Sequence, residues 1–224
     1  MNRFVSSLRP PTAILTALVV VATVAGCSAS GGTPSPLPPP SPTATATTAA
    51  SNCPKSQPDP LPAGKNRIVT IETSKGSIQI TVSGNLAPIA AGNFVALVSC
   101  GFYDGVVFHR LVPGFVIQGG DPKGNGTGGP GYTIADEAVT ARYQRGTVAM
   151  ARTAAPHSQG SQFFIVLDDG AGTVLAQANT YAIFGSVTSG METVDAIAAM
   201  PNSGDPNNAA LQPVAMTRVT VSPP

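Results

Sequence analysis

The chain has 224 residues, of which only 10% are charged, and it contains 24 glycines and 22 prolines. This length suits one domain with a sizeable core and a tail rather than two full domains, and the many turn residues favour a β-rich body. The formal net charge is +1 without clusters of Lys and Arg, so the sequence does not predict a nucleic-acid partner.

The N-terminal segment has the layout of an export signal. Arg3 and Arg9 precede an apolar run, residues 14–25, that is too short to span a bilayer. The run ends in Val-Ala-Gly-Cys, which resembles the lipobox of bacterial lipoproteins, where the cysteine is acylated and becomes the new N-terminus. We therefore expect residues 1–26 to be a lipoprotein signal peptide. The alternative is an ordinary secreted protein with a small-residue cleavage site.

Lipidation would fix the location of the protein. Cys27 is the expected attachment site for acyl chains such as palmitate, and two or three chains on one cysteine anchor durably where one does not. The expected location is therefore the extracytoplasmic face of the cell membrane.

The stretch that follows is predicted to be a tether. Residues 27–63 consist of the lipidated cysteine and a segment rich in Ser, Thr, Ala and Pro with almost no large apolar side chains. Such a segment buries too little surface to offset its ordering entropy, so we expect disorder. The folded domain is assigned to residues 64–224.

The two remaining cysteines form an even pair. With Cys27 acylated in an oxidising compartment, Cys53 and Cys100 are expected to form a disulfide. That bond would join the end of the tether to the domain.

The domain shows many short strand patterns and two helices. Alternating or apolar runs predict strands at residues 68–71, 78–82, on both sides of Pro113-Gly114, and at 146–151, 161–167, 182–187 and 217–221. One helix is predicted from Pro88 to Cys100, and a second is predicted after Ser189-Gly190-Met191-Glu192, which fits a capping box. The Ala- and Gly-rich residues 168–180 are predicted to be a loop. This pattern predicts a closed antiparallel barrel with helices at its ends.

Several other kinds of site are disfavoured. Glycines in residues 124–131 match the letters of a dinucleotide fingerprint, but Pro-Gly follows where that motif needs a helix. The chain has two histidines; His109 is predicted to be a hydrogen-bonded structural residue and His157 to be solvated. Ser161 lacks the flanking pattern of a hydrolase nucleophile. No metal or cofactor is expected.

Four stretches together resemble the cyclophilin family of peptidyl-prolyl cis-trans isomerases. They are FHRLVPGFVIQGGDP at residues 108–122, MARTAAPHSQGSQFFIV at 150–166, YAIFGSV at 181–187, and NFVAL in the first helix followed by GFYDG. The resemblance covers about Asn66 to Val221. It implies a closed eight-stranded antiparallel barrel capped by two α-helices, with an outer groove that holds a peptide and places its proline in an apolar pocket.

The resemblance also implies roles for individual residues. By motif position, Arg110 matches the family's catalytic arginine and Gln118 the polar residue that supports it. The positions matched to the proline pocket and to the edge that holds the peptide are Phe115, Val116, Ala151, Arg152, Phe164, Leu175 and Tyr181. The alternatives without a catalytic role are that Phe115 and Phe164 belong to the core and that Arg110 forms a surface ion pair with Asp121 or another acid. The chain has no Trp, which puts binding of ciclosporin in doubt.

The predicted function is prolyl isomerisation in exported proteins. The expected partners are their proline-containing segments and, through the lipid, the membrane; the protein is expected to be a monomer. A site that fits the twisted amide better than the planar one needs no nucleophile, metal or cofactor. Two alternatives remain at this point, a binding module of the same fold with negligible turnover and a structural lipoprotein of the cell envelope.

Overall fold

The computed structural model describes residues 52–222. The predicted signal peptide, Cys27 and most of the predicted tether lie outside these residues.

Within residues 52–222, none of the helices is both long enough and apolar enough to cross a membrane.

The body is built on one closed sheet. Its strands are β1 (Asn66–Thr73), β2 (Gly76–Ser83), β3 (Val107–Val112), β4 (Val116–Asp121), β5 (Thr147–Met150), β6 (Phe163–Val166), β7 (Ile183–Ser189) and β8 (Ala209–Val221). They close in the order β1-β2-β7-β5-β6-β4-β3-β8, and all eight neighbouring pairs are antiparallel. The predicted eight-stranded barrel is therefore confirmed.

Side-chain alternation explains the first hairpin. Strands β1 and β2 pair from Asn66 opposite Ser83 to Thr73 opposite Gly76. Alternate residues point into the barrel and are fully buried there: Val69, Ile71, Ile78, Ile80 and Val82. Successive side chains of a strand point to opposite faces, so a one-residue slip would expose this whole set to water.

Helix α1 (Pro88–Ser99) is close to the predicted first helix. Proline stands in its first turn, where its missing N–H would have no intrahelical partner in any case. The carboxylate of Glu137 accepts hydrogen bonds from the N–H groups of Ile89 and Ala90, both at 2.8 Å, and so satisfies two free donors of that turn. Phe94 packs into the barrel core against Phe163 with a centroid separation of 5.3 Å.

The predicted loop at residues 168–180 is wrong, because it contains helix α2 (Asp169–Ala178). Asp168 caps this helix by accepting a hydrogen bond from the N–H of Gly170 at 2.7 Å. Ala171 and Leu175, four positions apart, form its buried face. The domain thus has three helices within residues 52–222 instead of two, and the glycines hid the helical spacing.

The late helix, α3 (Met191–Ala198), exists, but its predicted capping box is wrong. Ser189 belongs to β7, where it pairs with Gln79, and Gly190 is the N-cap with φ of 88° and no side-chain hydrogen bond. A Cβ atom at Gly190 would collide with the backbone of Ser77. Glycine is needed here for both reasons.

Residues 53–62, which we call the N-terminal strap, pack on the domain although their composition predicts that they belong to the tether. The structure contains the disulfide between Cys53 and Cys100. Leu61 is buried and donates its N–H to the carbonyl of Pro88 at 2.9 Å. Gly92 lets the strap cross α1, since a Cβ atom there would strike the backbone of residues 59–61. A buried leucine and a covalent link outweigh the polar composition of the strap.

Candidate active site

The hairpin of β3 and β4 places Arg110 and Gln118 side by side. They are direct cross-strand partners, and the turn between the strands runs through Gly114 at a φ of 67°. Strand β6 lies on the other side of β4, with Phe164 opposite Gln118. Three neighbouring strands therefore bring a cation, an amide and an aromatic ring to one patch of the barrel.

This patch borders a cavity of about 190 Å³. All nine residues that the sequence predicts for catalysis or peptide binding line it: Arg110, Phe115, Val116, Gln118, Ala151, Arg152, Phe164, Leu175 and Tyr181. They come from β3, the turn before β4, β4 itself, the segment after β5, β6, α2 and the segment before β7. The structure therefore brings the whole matched set together in one place.

The floor of the cavity is apolar. Val116, Phe164 and Leu175 are buried in a cluster that is separate from the barrel core. Tyr181 meets Phe164 edge to face, with ring centroids 5.4 Å apart and planes at 85°. Phe115 is half-buried against the same cluster. These aromatics line the cavity and pack in or against this second cluster, not in the barrel core.

The guanidinium of Arg110 has no acidic partner among residues 52–222. Arg145 and Arg152, in contrast, each form an ion pair with an aspartate. The alternative partner, Asp121, is buried and accepts hydrogen bonds from the N–H groups of Lys123, Asn125 and Gly126. Burial acts to raise the pKa of Asp121, but these backbone donors outweigh it and hold the pKa below its ordinary value. These hydrogen bonds make Asp121 part of the loop of residues 121–131, which we call the glycine loop.

The amide of Gln118 belongs to a chain of side-chain hydrogen bonds. Its Nε2 donates to Oε1 of Gln162 at 3.0 Å, and Nε2 of Gln162 donates to the carbonyls of Gly126 at 3.0 Å and Gly128 at 2.9 Å. The side-chain N–H group of Gln118 is therefore bonded to Gln162, and no side-chain hydrogen bond joins Gln118 to Arg110 among residues 52–222. This chain fixes the orientation of the Gln118 amide beside the arginine and ties the glycine loop to it.

A second cavity of about 680 Å³ adjoins the first. It is walled by residues 126–133, with Thr153, Ser158, Gly160 and other small or hydroxyl-bearing residues opposite. Gln118, Ala151 and Arg152 line both cavities. The glycine loop, which has no predicted role at the sequence level, therefore forms one wall of a groove that continues from the apolar cavity.

Three residues that shape this region were missed by sequence reasoning. Gln162 lies in the matched stretch 150–166, and a polar side chain immediately before a buried strand was the available signal. Asp136 accepts a hydrogen bond from the N–H of His157 in the loop of residues 152–159, which borders the second cavity and which we call the cavity loop, and the hydroxyl of Tyr143 donates to the backbone carbonyl of Tyr181. Nothing in the local sequence marks the last two, because their partners lie on distant segments.

The two histidines take no part in the cavity. His109 is buried, as a structural residue would be; neither ring nitrogen meets strict hydrogen-bond geometry among residues 52–222, although the backbone of Val107 lies close enough to act on its pKa. Burial lowers its pKa, which keeps the ring neutral. His157 is exposed, and its Nδ1 accepts the N–H of Asp136 at 3.1 Å. Within the described residues, no three His, Cys, Asp or Glu side chains are grouped to hold a metal ion.

Comparison with known proteins points to one family. The family model described as cyclophilin type peptidyl-prolyl cis-trans isomerase/CLD matches residues 68–221. A peptidyl-prolyl cis-trans isomerase of Acinetobacter baylyi is 41% identical over 164 residues, which cover 70% of this chain and 86% of the relative. A probable peptidyl-prolyl cis-trans isomerase A of Mycobacterium leprae is 36% identical over 176 residues, which cover 70% and 93%.

Solved structures give the same result. A cyclophilin type peptidyl-prolyl cis-trans isomerase of Cryptosporidium parvum superposes with a TM-score of 0.63 at 31% identity, covering 71% of this chain and 99% of that one. A second crystal structure of that protein, in the presence of the dipeptide Ala-Pro, gives a TM-score of 0.62 at 32% identity and covers 70% and 99%.

Proposed function

This chain belongs to the cyclophilin-type peptidyl-prolyl cis-trans isomerase family, and on that premise we propose how it acts and where. It is an isomerase of X-Pro peptide bonds. Arg110 stabilises the twisted amide of that bond while the apolar cavity holds the proline ring. The proline-containing segments belong to exported proteins, whose folding or remodelling the enzyme assists as a monomer anchored in the membrane.

The reaction itself defines what the site must do. Resonance gives the C–N bond partial double-bond character, so rotation faces a barrier of roughly 18 to 20 kcal/mol. Uncatalysed isomerisation takes tens to hundreds of seconds. No covalent bond breaks, so the rate rises only where the site binds the twisted amide better than the planar one.

One observation favours Arg110 as the group that stabilises the twisted amide. Its guanidinium borders the apolar cavity without an acidic partner among residues 52–222. In the twisted amide the prolyl nitrogen regains its lone pair and becomes a hydrogen-bond acceptor. A free guanidinium beside it can donate to that nitrogen or hold the adjacent carbonyl.

The arginine supplies part of the acceleration. A hydrogen bond from a charged group is worth about 1.5 to 3 kcal/mol, which corresponds to roughly a 10- to 150-fold change in rate. The remainder comes from confinement: Phe115, Phe164 and Leu175 hold the ring, while the edge at Ala151 holds the chain on the other side of the bond.

The proposed location is supported by two features. The Val-Ala-Gly-Cys sequence ending at Cys27 follows an apolar run of signal-peptide length. The disulfide between Cys53 and Cys100 is typical of an oxidising, extracytoplasmic compartment.

The experiment that tests the mechanism measures cis-trans exchange of an Ala-Pro peptide by NMR. We expect the wild type to accelerate exchange and Arg110→Ala to lose roughly 10- to 150-fold in kcat/KM. Arg218→Ala, which removes an exposed arginine of β8, is the matched control and should leave the rate unchanged. Undiminished acceleration by Arg110→Ala would refute the role of this arginine.

The same measurement separates the enzyme from a pure binding module. A binding module would show peptide titration shifts in the wild type without faster exchange. The presence of Arg110 without an acidic partner among residues 52–222 favours the enzyme, because a module that only binds has no need for a cation beside the proline cavity.

A further inference from the structure

The two arginines of the apolar cavity differ in how their guanidinium groups are used. Arg110 has no ion-pair partner among residues 52–222, whereas Arg152 is bound on several sides by the protein itself. Its Nε donates to the carbonyl of Thr153 at 3.2 Å, and its Nη2 donates to that of Ala155 at 2.9 Å. Arg152 therefore has little donor capacity left for a peptide.

The remaining contacts of Arg152 reach two other segments. Nη1 donates to the carbonyl of Thr180 at 3.4 Å, and it lies 3.2 Å from Oδ2 of Asp136. Thr180 immediately precedes Tyr181 at the rim of the apolar cavity. One side chain, only 11% exposed, thus joins the end of β5 to the rim before β7 and to the loop that contains Asp136.

The carboxylate of Asp136 is the centre of the other half of this network. Besides its ion pair with Arg152, it accepts a hydrogen bond from the N–H of His157 at 2.9 Å through Oδ2 and one from Nε2 of Gln159 at 2.9 Å through Oδ1. Burial acts to raise the pKa of Asp136, but these donors and the charge of Arg152 outweigh it and lower the pKa. Asp136 is therefore charged at neutral pH and holds both ends of the loop formed by residues 152–159.

The position of Arg152 gives this network a consequence for the substrate. Gln118, Ala151 and Arg152 line both the apolar cavity and the larger cavity beside it, so a peptide occupying both must pass them; we call the part formed by Ala151 and Arg152 the ridge. We infer that Arg152 and Asp136 are positioning residues: their ion pair clasps this ridge and sets the affinity for the peptide flanking the proline. This inference rests on the proposed function and deepens it.

The clasp predicts a specific kinetic signature. The planar and twisted forms of the substrate share the same flanking residues, so loss of the ridge geometry weakens both equally and raises KM with little change in kcat. Loss of Arg110 has the opposite signature, because its contact strengthens only when the amide twists. The two arginines should therefore separate in the two kinetic constants.

The test compares Arg152→Met, Asp136→Asn and the double variant on the Ala-Pro peptide by NMR exchange. We expect each single variant to raise KM about tenfold with kcat within about twofold of wild type. The double variant should resemble the singles, because residues that act as one pair are not additive. Arg152→Lys keeps the charge without the planar fork and should fall between Arg152→Met and wild type.

The matched control is Asp195→Asn. It breaks the ion pair with Arg145, at 2.6 Å, and neither partner lines either of the two cavities described above. We expect its KM to equal that of wild type. An unchanged KM in folded Arg152→Met and Asp136→Asn, or additive effects in the double variant, would overturn the clasp.

Peptide titration without turnover separates this inference from the proposed function. A wild type that binds the peptide but does not accelerate exchange would refute the proposed function, and the clasp is then read from the dissociation constants, with the same tenfold weakening expected. If Arg152→Met does not fold, Asp136→Asn and Arg152→Lys decide the question.

Discussion

At the scale of single residues, Tyr143 shows how much of the pocket depends on one hydroxyl. Its OH donates to the carbonyl of Tyr181 at 2.8 Å and accepts the N–H of the same residue at 3.1 Å. Tyr143 is buried, and burial raises the pKa of its phenol, so the hydroxyl keeps its proton and can donate. The rim residue Tyr181 is therefore held by both of its backbone polar groups.

Replacing Tyr143 with Phe should loosen that rim. The change leaves the N–H and the carbonyl of Tyr181 without their partner, which costs about 1 to 3 kcal/mol of stability and should raise KM for a proline peptide. Thermal unfolding and peptide kinetics measure the two effects. Tyr103→Phe is the matched control. It also removes a buried hydroxyl, but that hydroxyl donates to the carbonyl of Ser161, at 2.9 Å, and does not bond Tyr181. Equal KM values for the two variants would contradict this role.

The sequence predicted those cavity residues that lie within the strand motifs of the family. Arg110, Phe115, Gln118 and Phe164 lie in contiguous motifs, so matching the motif also located the side chains. The long-range partners were not predictable. Tyr143 and Tyr181 are 38 positions apart, and a hydroxyl that bonds a backbone has no sequence pattern.

At the scale of elements, the N-terminal strap and α1 form one unit. The disulfide links Cys53 at the start of the strap to Cys100 at the end of α1, and the strap crosses the helix at Gly92. Oε1 of Gln57 also accepts the N–H of Ala135, next to the carboxylate that holds the cavity loop. The composition of the strap predicts disorder because composition reflects only the kinds of side chain present. It does not include the disulfide that fixes Cys53 to the end of α1.

Breaking the disulfide should destabilise the domain. A bond that closes a loop of 47 residues restricts the unfolded chain, which by the chain-entropy relation is worth about 4 kcal/mol. The double variant Cys53→Ser/Cys100→Ser should therefore unfold at lower denaturant concentration than its parent, with both carrying Cys27→Ala so that no third thiol interferes. Reductant should lower the midpoint of the parent and leave that of the double variant unchanged. A parent whose midpoint does not respond to reductant would refute the stabilising role.

Helix α2 shows a limit of periodicity. Its glycines lower helix propensity, yet Gly172 is where the helix packs on the backbone carbonyl of Tyr143, and a Cβ atom there would clash. Asp168 at the N-cap was visible in the sequence, but the glycines hid the helical spacing of Ala171 and Leu175. Tertiary packing decided the rest.

At the scale of the whole molecule, closure of the barrel depends on pairs that no local pattern contains. The hairpins β1–β2 and β3–β4 follow from their turns, but β2 pairs with β7 and β3 pairs with β8. Strand β8 runs from Ala209 to Val221 and joins β1 to β3, whereas only residues 217–221 were predicted as strand. Pro213 and the poor alternation before it hid the longer strand. The strand and turn pattern predicted the fold class, the family motifs supplied the number of strands, and the order of strands came from the structure.

The proposed lipid anchor at Cys27 determines where this barrel can act. The cavities lie wholly within residues 110–181, and the chain from Cys27 to Cys53 can span roughly 90 Å at most. A domain attached only through that segment should work equally well when the attachment is removed. One substitution at Cys27 should therefore abolish membrane attachment without changing the isomerase activity.

Cys27→Ala should release the protein from the membrane fraction and leave kcat/KM for an Ala-Pro peptide unchanged. Cell fractionation with immunoblotting measures the first effect, and incorporation of labelled palmitate shows whether the wild type is acylated. Cys53→Ser is the matched control, because it removes a cysteine that the structure places in a disulfide and should leave membrane retention intact. A Cys27→Ala variant that stays in the membrane fraction would refute the anchor, and a wild type found only in the medium would favour ordinary secretion. Two or more acyl chains on one cysteine hold a protein where a single chain does not, so the fractionation should show nearly complete retention of the wild type.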